Sequence, residues 1–372
     1  MGDDIHFKLD GVHPVGASHH HKILVIDDRL AFCGGIDMTG DRWDTREHRD
    51  KDPGRRRPTT KRRYEPWHDA TMAVEGAAAR ALGELARERW ELAGGKPIAA
   101  PGTRHVVWPK ELKPMFREVD VAISRTRGAS EPQQPVREIE ALFIDQIRRA
   151  KRFFYAENQY FASRKIGQAI LERLAENDPP EFVIVNPVGG QGWLDDTAMT
   201  PARARLLRAI AETDKHKRFR IYSPVTKGGE DIYVHAKITI VDDELLRVGS
   251  ANFNNRSMGL DSECDVTIDA KLQTNRKAGP AISAVLDDLL AEHLGTTSAK
   301  VRGARSRAGL IGAIEALRDE GRTLVPLDPG EISELEEKLA ETEAMDPESA
   351  GEAFEPIARP GLLAPLRRRR SA

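Results

Sequence analysis

The chain has 372 residues, 40% of them hydrophobic and 31% charged, and its formal net charge is −2. This is the composition of a globular chain of two domains or one large composite one, with a core big enough to need no disulfides. The near-zero charge excludes a polybasic nucleic-acid binder as a whole-molecule reading, and no apolar run approaches the roughly 18 residues that a membrane span requires.

The N-terminal stretch MGDDIHFKLD is polar and acidic, without signal-peptide character. Residues 19–37 then read HHHKILVIDDRLAFCGGID. Ile23–Ile26 is a short apolar run that predicts a buried central strand, Asp27-Asp28 a turn, and Leu30–Cys33 the returning strand. Residues 46–63 hold nine Lys/Arg against three Asp/Glu and are expected to be a basic surface loop. Such a loop can draw the chain toward anionic headgroups, at about 1 kcal/mol per cation.

From 136 onward the pattern alternates. Helices are predicted near 136–150, 165–176 and 201–212, and strands near 152–156, 181–186 and 218–223, which implies a parallel or mixed sheet covered by helices. Residues 234–252 read VHAKITIVDDELLRVGSAN. Helical patterning returns at 279–294, 308–320 and 330–344, and the tail from about 346 is proline-punctuated and ends near Arg367–Arg370. The two cysteines, Cys33 and Cys264, lie far apart in sequence, follow no metal-ligand spacing and read as reduced and apolar.

The two motif segments are copies. A shift of 215 aligns His20 with His235, Lys22 with Lys237, Asp27 with Asp242, Gly34 with Gly249 and Asp37 with Asn252, without a gap. A second match sets HDATMAVEG (68–76) against SECDVTIDA (262–270), so that Asp69 faces Glu263 at an offset of 194. The first copy thus carries 215 − 194 = 21 extra residues, which contain the basic stretch. Only 19 residues precede His20, so the first repeat is expected to be incomplete at its N-terminal side. The division expected is 1–120 for the first repeat, 121–275 for the second, and 276–372 for a helical extension with a flexible tail.

Residues two apart on a strand share a face, so each copy presents an imidazole beside an ammonium group. Phosphodiester cleavage needs a nucleophile, a proton donor for the leaving oxygen, and positive charge around phosphorus. Two histidines supply the first two requirements, and Lys22 and Lys237 the third in place of a metal. Asn252 can donate to a phosphate oxygen, while Asp69 and Glu263 can accept from the second ring nitrogen of each histidine. Asp27 and Asp242 suit turn stabilisation. Asp37 sets a carboxylate where the second copy has an amide, which is unfavourable beside phosphate unless a cation pairs with it.

The paired HxKxxxxD motifs, the GGID (34–37) and GSAN (249–252) segments and the ENQYF run at 157–161 resemble the phospholipase D superfamily. RWD (42–44), WHD (67–69) and NRSMGLDSE (255–263) resemble its two-repeat phospholipase branch, over roughly residues 5–295 in all. The resemblance implies an α/β fold of two pseudo-twofold-related repeats, each a mixed β-sheet flanked by helices, with the first repeat truncated. It also implies a metal-independent, cofactor-free reaction through a phosphohistidine, with His20 as nucleophile and His235 as general acid/base. Lys22, Lys237 and Asn252 would bind phosphate, and Glu263 and Asp69 would orient the histidines.

The function this predicts is hydrolysis of glycerophospholipids to phosphatidic acid and a free alcohol, at a membrane surface, by a cytoplasmic or peripherally associated protein. Export is left open, and nucleic acid is disfavoured as a partner. The alternatives are alcohol transfer in the manner of a cardiolipin synthase, a nuclease of the same superfamily, and an inactive surface-binding fragment.

Overall fold

The computed structural model describes residues 5–102, 108–131, 133–190, 199–327 and 346–349. The first half contributes β1 (Ile23–Ile26), β2 (Leu30–Gly34), the two-residue β3 (Trp67–His68), β4 (Thr71–Glu75) and α1 (Ala77–Leu92). β1, β2 and β4 form a three-stranded sheet that is antiparallel throughout. The predicted insertion at 46–63 lies between β2 and β3 and carries no named helix or strand.

The second half begins with β5 (Ala122–Arg127), β6 (Val136–Arg137), α2 (Glu138–Arg149), β7 (Phe153–Glu157), α3 (Arg164–Leu174) and β8 (Glu181–Val185). It continues with α4 (Thr200–Thr213), β9 (Phe219–Val225), β10 (Tyr233–Val234), β11 (Ile238–Val241), β12 (Leu245–Gly249), α5 (Asn255–Gly259) and β13 (Glu263–Asp269). Beyond them lie α6 (Gly279–His293), α7 (Ser298–Leu317) and β14 (Thr323–Pro326). Their nine-stranded sheet runs β14-β9-β8-β7-β11-β12-β13-β5-β6 and is mixed, with β7, β8 and β9 parallel to one another. The mixed sheet predicted for both repeats is therefore present in the second, while the first has the smaller antiparallel one.

The period of two along β7 shows how the large sheet is buried. Phe153 and Tyr155 face one core, shared with Ala31, Cys33 and Leu82 of the first half and with α6. Phe154 and Ala156 face the other, under α2, α3 and α4. The sheet is thus covered on one side by helices and on the other largely by the first repeat and the C-terminal helices. Cys33 and Cys264, distant in sequence, meet in the first core, where Cys33 Sγ donates to the Cys264 carbonyl at 3.4 Å, and both are free thiols.

One strand departs from its predicted environment. β11 lies between β7 and β12 and is buried at every residue, as its apolar run requires. β1, its copy, is an edge strand: Leu24 is 37% and Ile26 39% exposed. Among the described residues no strand of the first half occupies the place that β7 takes in the second, so half of the β1 side chains stay at the surface.

Both Asp-Asp pairs make the turn expected of them. Asp27, Asp28, Asp242 and Asp243 all have φ between 50° and 58°, the left-handed region that a type I′ hairpin requires and that aspartate tolerates. Predicted helices 136–150, 165–176, 201–212 and 279–294 are found within a few residues. The one expected at 308–320 is the C-terminal part of a longer α7, which breaks direction at Gly309, where φ is 74°. The helix predicted at 330–344 and the Arg367–Arg370 tail lie outside the described residues.

Candidate active site

The two motif histidines sit on a seam built twice from the same hydrogen bonds. β3 pairs in parallel with β10, setting Trp67 against Tyr233 and His68 against Val234. The His235 N–H then donates to the His68 carbonyl at 2.8 Å. In the equivalent place His19 bridges Ser262 in parallel, and the His20 N–H donates to the Ser262 carbonyl at 2.9 Å. A shift of 215 in one partner and 194 in the other converts the first set into the second, so the seam has the pseudo-twofold symmetry that the repeat implies.

The carboxylates cross that seam. His20 Nδ1 lies 3.0 Å from both Glu263 oxygens, and His235 Nδ1 lies 2.8 Å from Asp69 Oδ2. Each histidine is held by the acid of the opposite half. Glu263 is 2% exposed. Burial opposes its charge, but His20, Ser250 and Ser257 hold its carboxyl below the usual range. Asp69 is likewise held down, against burial, by His235 and Lys237. An ionised acid at Nδ1 keeps the proton there and leaves Nε2 of each ring for chemistry.

The lysines repeat the symmetry. Lys22 Nζ donates to the His20 carbonyl at 2.7 Å, and Lys237 Nζ donates to the His235 carbonyl. Lys237 is fully buried and also donates to Gln159 Oε1 of the ENQYF run at 3.2 Å. Burial first, then the Lys22 charge, lowers its ammonium to about 7, although Asp69 pulls the other way. Burial and Lys237 together lower His235 to about 4, against the opposing pull of Asp69.

Asp37, whose carboxylate was expected to need a cation, has one: Lys22 Nζ lies 3.0 Å away. Burial notwithstanding, Lys22, His235 and His20 hold its carboxyl below the usual range, so it feels both rings. Asn252 is buried, and its amide oxygen finds no hydrogen-bond partner among the described residues. Asp242 stands away from this chemistry. Its carboxylate accepts the N–H groups of Lys151, Arg152 and Phe153 at 2.7 to 2.8 Å, fixing the start of β7. Asp27, its copy, is exposed.

Several side chains around the site were given no part in the chemistry by sequence. Ser250 and Ser257 donate to the two oxygens of Glu263, Ser257 at 2.6 Å. Trp67 packs against the His235 ring at 5.0 Å and stacks on Tyr233 at 4.9 Å between centroids, and the Arg42 guanidinium lies over its ring at 4.1 Å. Alternation along Trp67-His68-Asp69 was the available signal, because it puts the indole and the carboxylate on one face and His68 on the other.

A cleft of about 2370 Å³ opens beside the site. Lys22, Asp37 and Asp69 line it together with an apolar wall that includes Leu24, Ile36, Met38, Met115 and Phe116. The basic insertion is partly neutralised by acids outside it, since Arg46, Arg55 and Arg57 pair with Asp288 of α6, Asp44 and Asp41. No helix among the described residues is long and apolar enough to cross a membrane.

Residues 7–168 match the family model described as phospholipase D, and residues 143–279 match the one described as cardiolipin synthase, PLD-like domain. Phospholipase D1 of Schizosaccharomyces pombe is 26% identical over 75% of this chain and 27% of its own length. Phospholipase D alpha 1 of Carica papaya is 25% identical over 75% of this chain and 49% of its own length. This chain therefore spans about a quarter to a half of such relatives. Among solved structures, phosphatidylserine synthase of Haemophilus influenzae aligns with a TM-score of 0.32 at 17% identity, over 44% of this chain and 38% of that one. NucT from Helicobacter pylori aligns with a TM-score of 0.29 at 19% identity, over 45% of this chain and 97% of that one. With both family models falling on the two halves that carry the crossed histidines, the chain belongs to the phospholipase D superfamily and contains two of its repeats.

Proposed function

We propose that the chain hydrolyses glycerophospholipids to phosphatidic acid and a free alcohol through a phosphohistidine. The crossed pairing of His20 with Glu263 and of His235 with Asp69 is the observation that carries this reading, because it frees one nitrogen on each of two rings at a cationic site. His20 Nε2 attacks phosphorus, forming the P–N bond as the P–O bond to the leaving alcohol breaks, and His235 gives its Nε2 proton to that oxygen. Water then yields a proton to His235 as it attacks phosphorus, and the P–N bond breaks. Lys22, Lys237 and Asn252 hold the non-bridging oxygens; Asn252 does so with its amide turned to present the NH2 group.

The apolar cleft wall beside Lys22 favours a diacyl substrate over a nucleic acid, which would call for a continuous cationic groove. A peripheral position at a lipid surface follows from that substrate. The test is to incubate the chain with phosphatidylcholine vesicles, measure phosphatidic acid and choline, and map the base-stable phosphoryl adduct by mass spectrometry. An adduct on His20 supports the assignment. A chain that turns over single-stranded DNA and leaves every glycerophospholipid intact would refute it. Addition of a primary alcohol measures transfer against hydrolysis.

A second reading exchanges the two histidine roles. It is favoured by the lowering of His235 to about 4, which makes that ring neutral at neutral pH, as an attacking nitrogen must be. An adduct on His235 in the same experiment selects it.

A further inference from the structure

Behind the seam, on the opposite face of β3 from Asp69, a second cluster of imidazoles and carboxylates lines the same cleft. His68 Nδ1 lies 3.1 Å from Glu292 Oε1 of α6, and His48 Nε2 of the insertion lies 3.2 Å from that same oxygen. The three donor atoms are all within 4.8 Å of one another. His48 and His68 are buried, and Glu292 nearly so, with 11% of its side chain exposed toward the cleft.

Each donor is held from behind. His48 Nδ1 is 2.9 Å from Asp44 Oδ2, and His68 Nε2 is 2.6 Å from Glu157 Oε2. The second oxygen of Glu292 is paired with Arg46, whose Nε lies 2.8 Å away. Asp44 is itself fixed by Arg55 and by the Trp67 N–H, both at 2.9 Å. A carboxylate behind each imidazole is the outer arrangement that sets ring orientation and raises basicity in metal sites. The neighbouring trio of His68, Glu157 and His293 uses the other nitrogen of His68 and is closed to solvent, so its hydrogen bonds are the support and not the opening.

We propose that His48, His68 and Glu292 form a site for one divalent transition-metal ion of the zinc class, with a fourth position open to the cleft. Tetrahedral zinc with bonds of about 2.0–2.1 Å sets its donors roughly 3.3 Å apart, close to the 3.1 and 3.2 Å found here. Two imidazoles and a single carboxylate suit zinc, cobalt or nickel and do not suit calcium or magnesium, which take oxygen ligands. In the hydrogen-bonded form Glu292 Oε1 accepts a proton from each ring. The ion replaces those two protons, and the charge of the cluster is unchanged.

The ion's role is to tie three elements together: the basic insertion through His48, β3 through His68, and α6 through Glu292. The His68 carbonyl also receives the N–H groups of His235 and Ala236 at 2.8 and 3.2 Å. The insertion is thereby a clamp on the seam. This site takes no part in the phosphoryl chemistry proposed above, and each of the two readings stands or falls without the other.

The test uses the full chain, stripped with a chelator and titrated with Zn²⁺ by calorimetry, with Co²⁺ as a spectroscopic probe of tetrahedral geometry. Expected is one ion per chain, visible ligand-field bands with Co²⁺, and a higher Tm in the loaded form. His48→Ala and Glu292→Gln each weaken binding by at least about 100-fold, and Glu292→Gln keeps the side-chain volume should the first variant fold poorly. A chain carrying His19→Ala and His21→Ala keeps its affinity, which separates this site from the other imidazole pair, His19 and His21 on either side of His20, whose rings are 6.0 Å apart. The proposal is overturned if the folded wild-type chain binds no ion. It is equally overturned if binding survives His48→Ala and Glu292→Gln, or disappears in the His19→Ala, His21→Ala chain.

Discussion

Glu263 accepts the Nδ1 proton of His20 across a sequence separation of 243 residues, from the opposite repeat. Asp69 does the same for His235 across 166 residues. Neither half holds both a motif histidine and the carboxylate that orients it, so the halves are chemically dependent on one another. Glu263→Gln replaces the acceptor with a group that can donate, and the imidazole loses the tautomer it needs. A fall in kcat of about 10²–10⁴-fold with little change in KM is expected, by analogy with the orienting acid of a serine protease triad. Asp69→Asn should behave alike. Turnover within tenfold of the parent, in a variant whose circular dichroism is unchanged, would show that these carboxylates do not orient the rings.

Two rings that act as nucleophile and proton donor in one step cannot contribute independently. His20→Ala or His235→Ala should each lower turnover by several orders of magnitude, and combining them should lower it little further. Steady-state release of the free alcohol, measured for both single variants and the double, decides this. A double variant whose loss is the product of the two single losses would mean that the rings serve separate functions.

Lys237 gives the site a pH dependence with a definite sign. Its ammonium is lowered to about 7, chiefly by burial. Below that pH it is charged and attracts phosphate, and above it the cradle loses a cation. Affinity for inorganic phosphate or tungstate should therefore weaken as pH rises from about 6 to about 9. Bound anion shifts the break upward, because it favours the charged form. Lys237→Arg, which stays protonated throughout, should flatten the profile. An unaltered profile in that variant would assign the titration to another group.

Asp37 competes with the substrate for Lys22, which it binds at 3.0 Å while about a third of its own side chain is exposed. Asp37→Asn removes the competing anion and makes the first copy match Asn252 of the second. A partly exposed pair of this kind is worth no more than about 1 kcal/mol, so tungstate should bind up to about fivefold tighter. Weaker binding would mean that Asp37 positions Lys22 and does not restrain it.

The chemistry of the site was legible because the repeat displays it twice. Ile238–Val241 and the Asp242-Asp243 turn lie where their patterning predicts, and both histidine–lysine pairs keep the backbone contacts of one motif. What the sequence could not convey was contact between halves. The offset of 194 paired Asp69 with Glu263 by likeness, yet their acceptance of opposite histidines follows from the twofold seam, which has no signature along the chain. The environment of β1 was misjudged for a related reason. An apolar run such as Ile23–Ile26 reports a wish for burial, and whether a neighbouring strand exists to satisfy it depends on the rest of the sheet. The insertion at 46–63 was read from its cations as a solvated face, whereas His48 and Arg55 within it are buried against Asp44.

Stability of the second motif depends on a buried ion pair that the first lacks. Arg247 and Asp265 have no exposed side-chain surface, and Arg247 Nε lies 2.8 Å from Asp265 Oδ2. Arg247 also donates to the carbonyls of Lys237 and Ala251 at 3.2 and 3.1 Å, and its guanidinium lies 4.6 Å over the Phe143 ring. The other oxygen of Asp265 accepts the Ser250 and Ala251 N–H groups at 3.0 and 3.2 Å. Together they hold the GSAN loop that carries Asn252. By the same offsets the first repeat has Phe32 and Thr71 at these positions, half-buried along the cleft and with no ion pair between them. Asp265→Ala leaves the guanidinium buried and unpaired, and should cost about 3–5 kcal/mol. Replacing both, as Arg247→Phe with Asp265→Thr after the first repeat, should cost less than Asp265→Ala alone, since no charge is then stranded. Urea unfolding of the three chains measures this directly. A double variant less stable than Asp265→Ala would show that the pair's worth lies in its contacts to the loop and not in the mutual neutralisation of its charges.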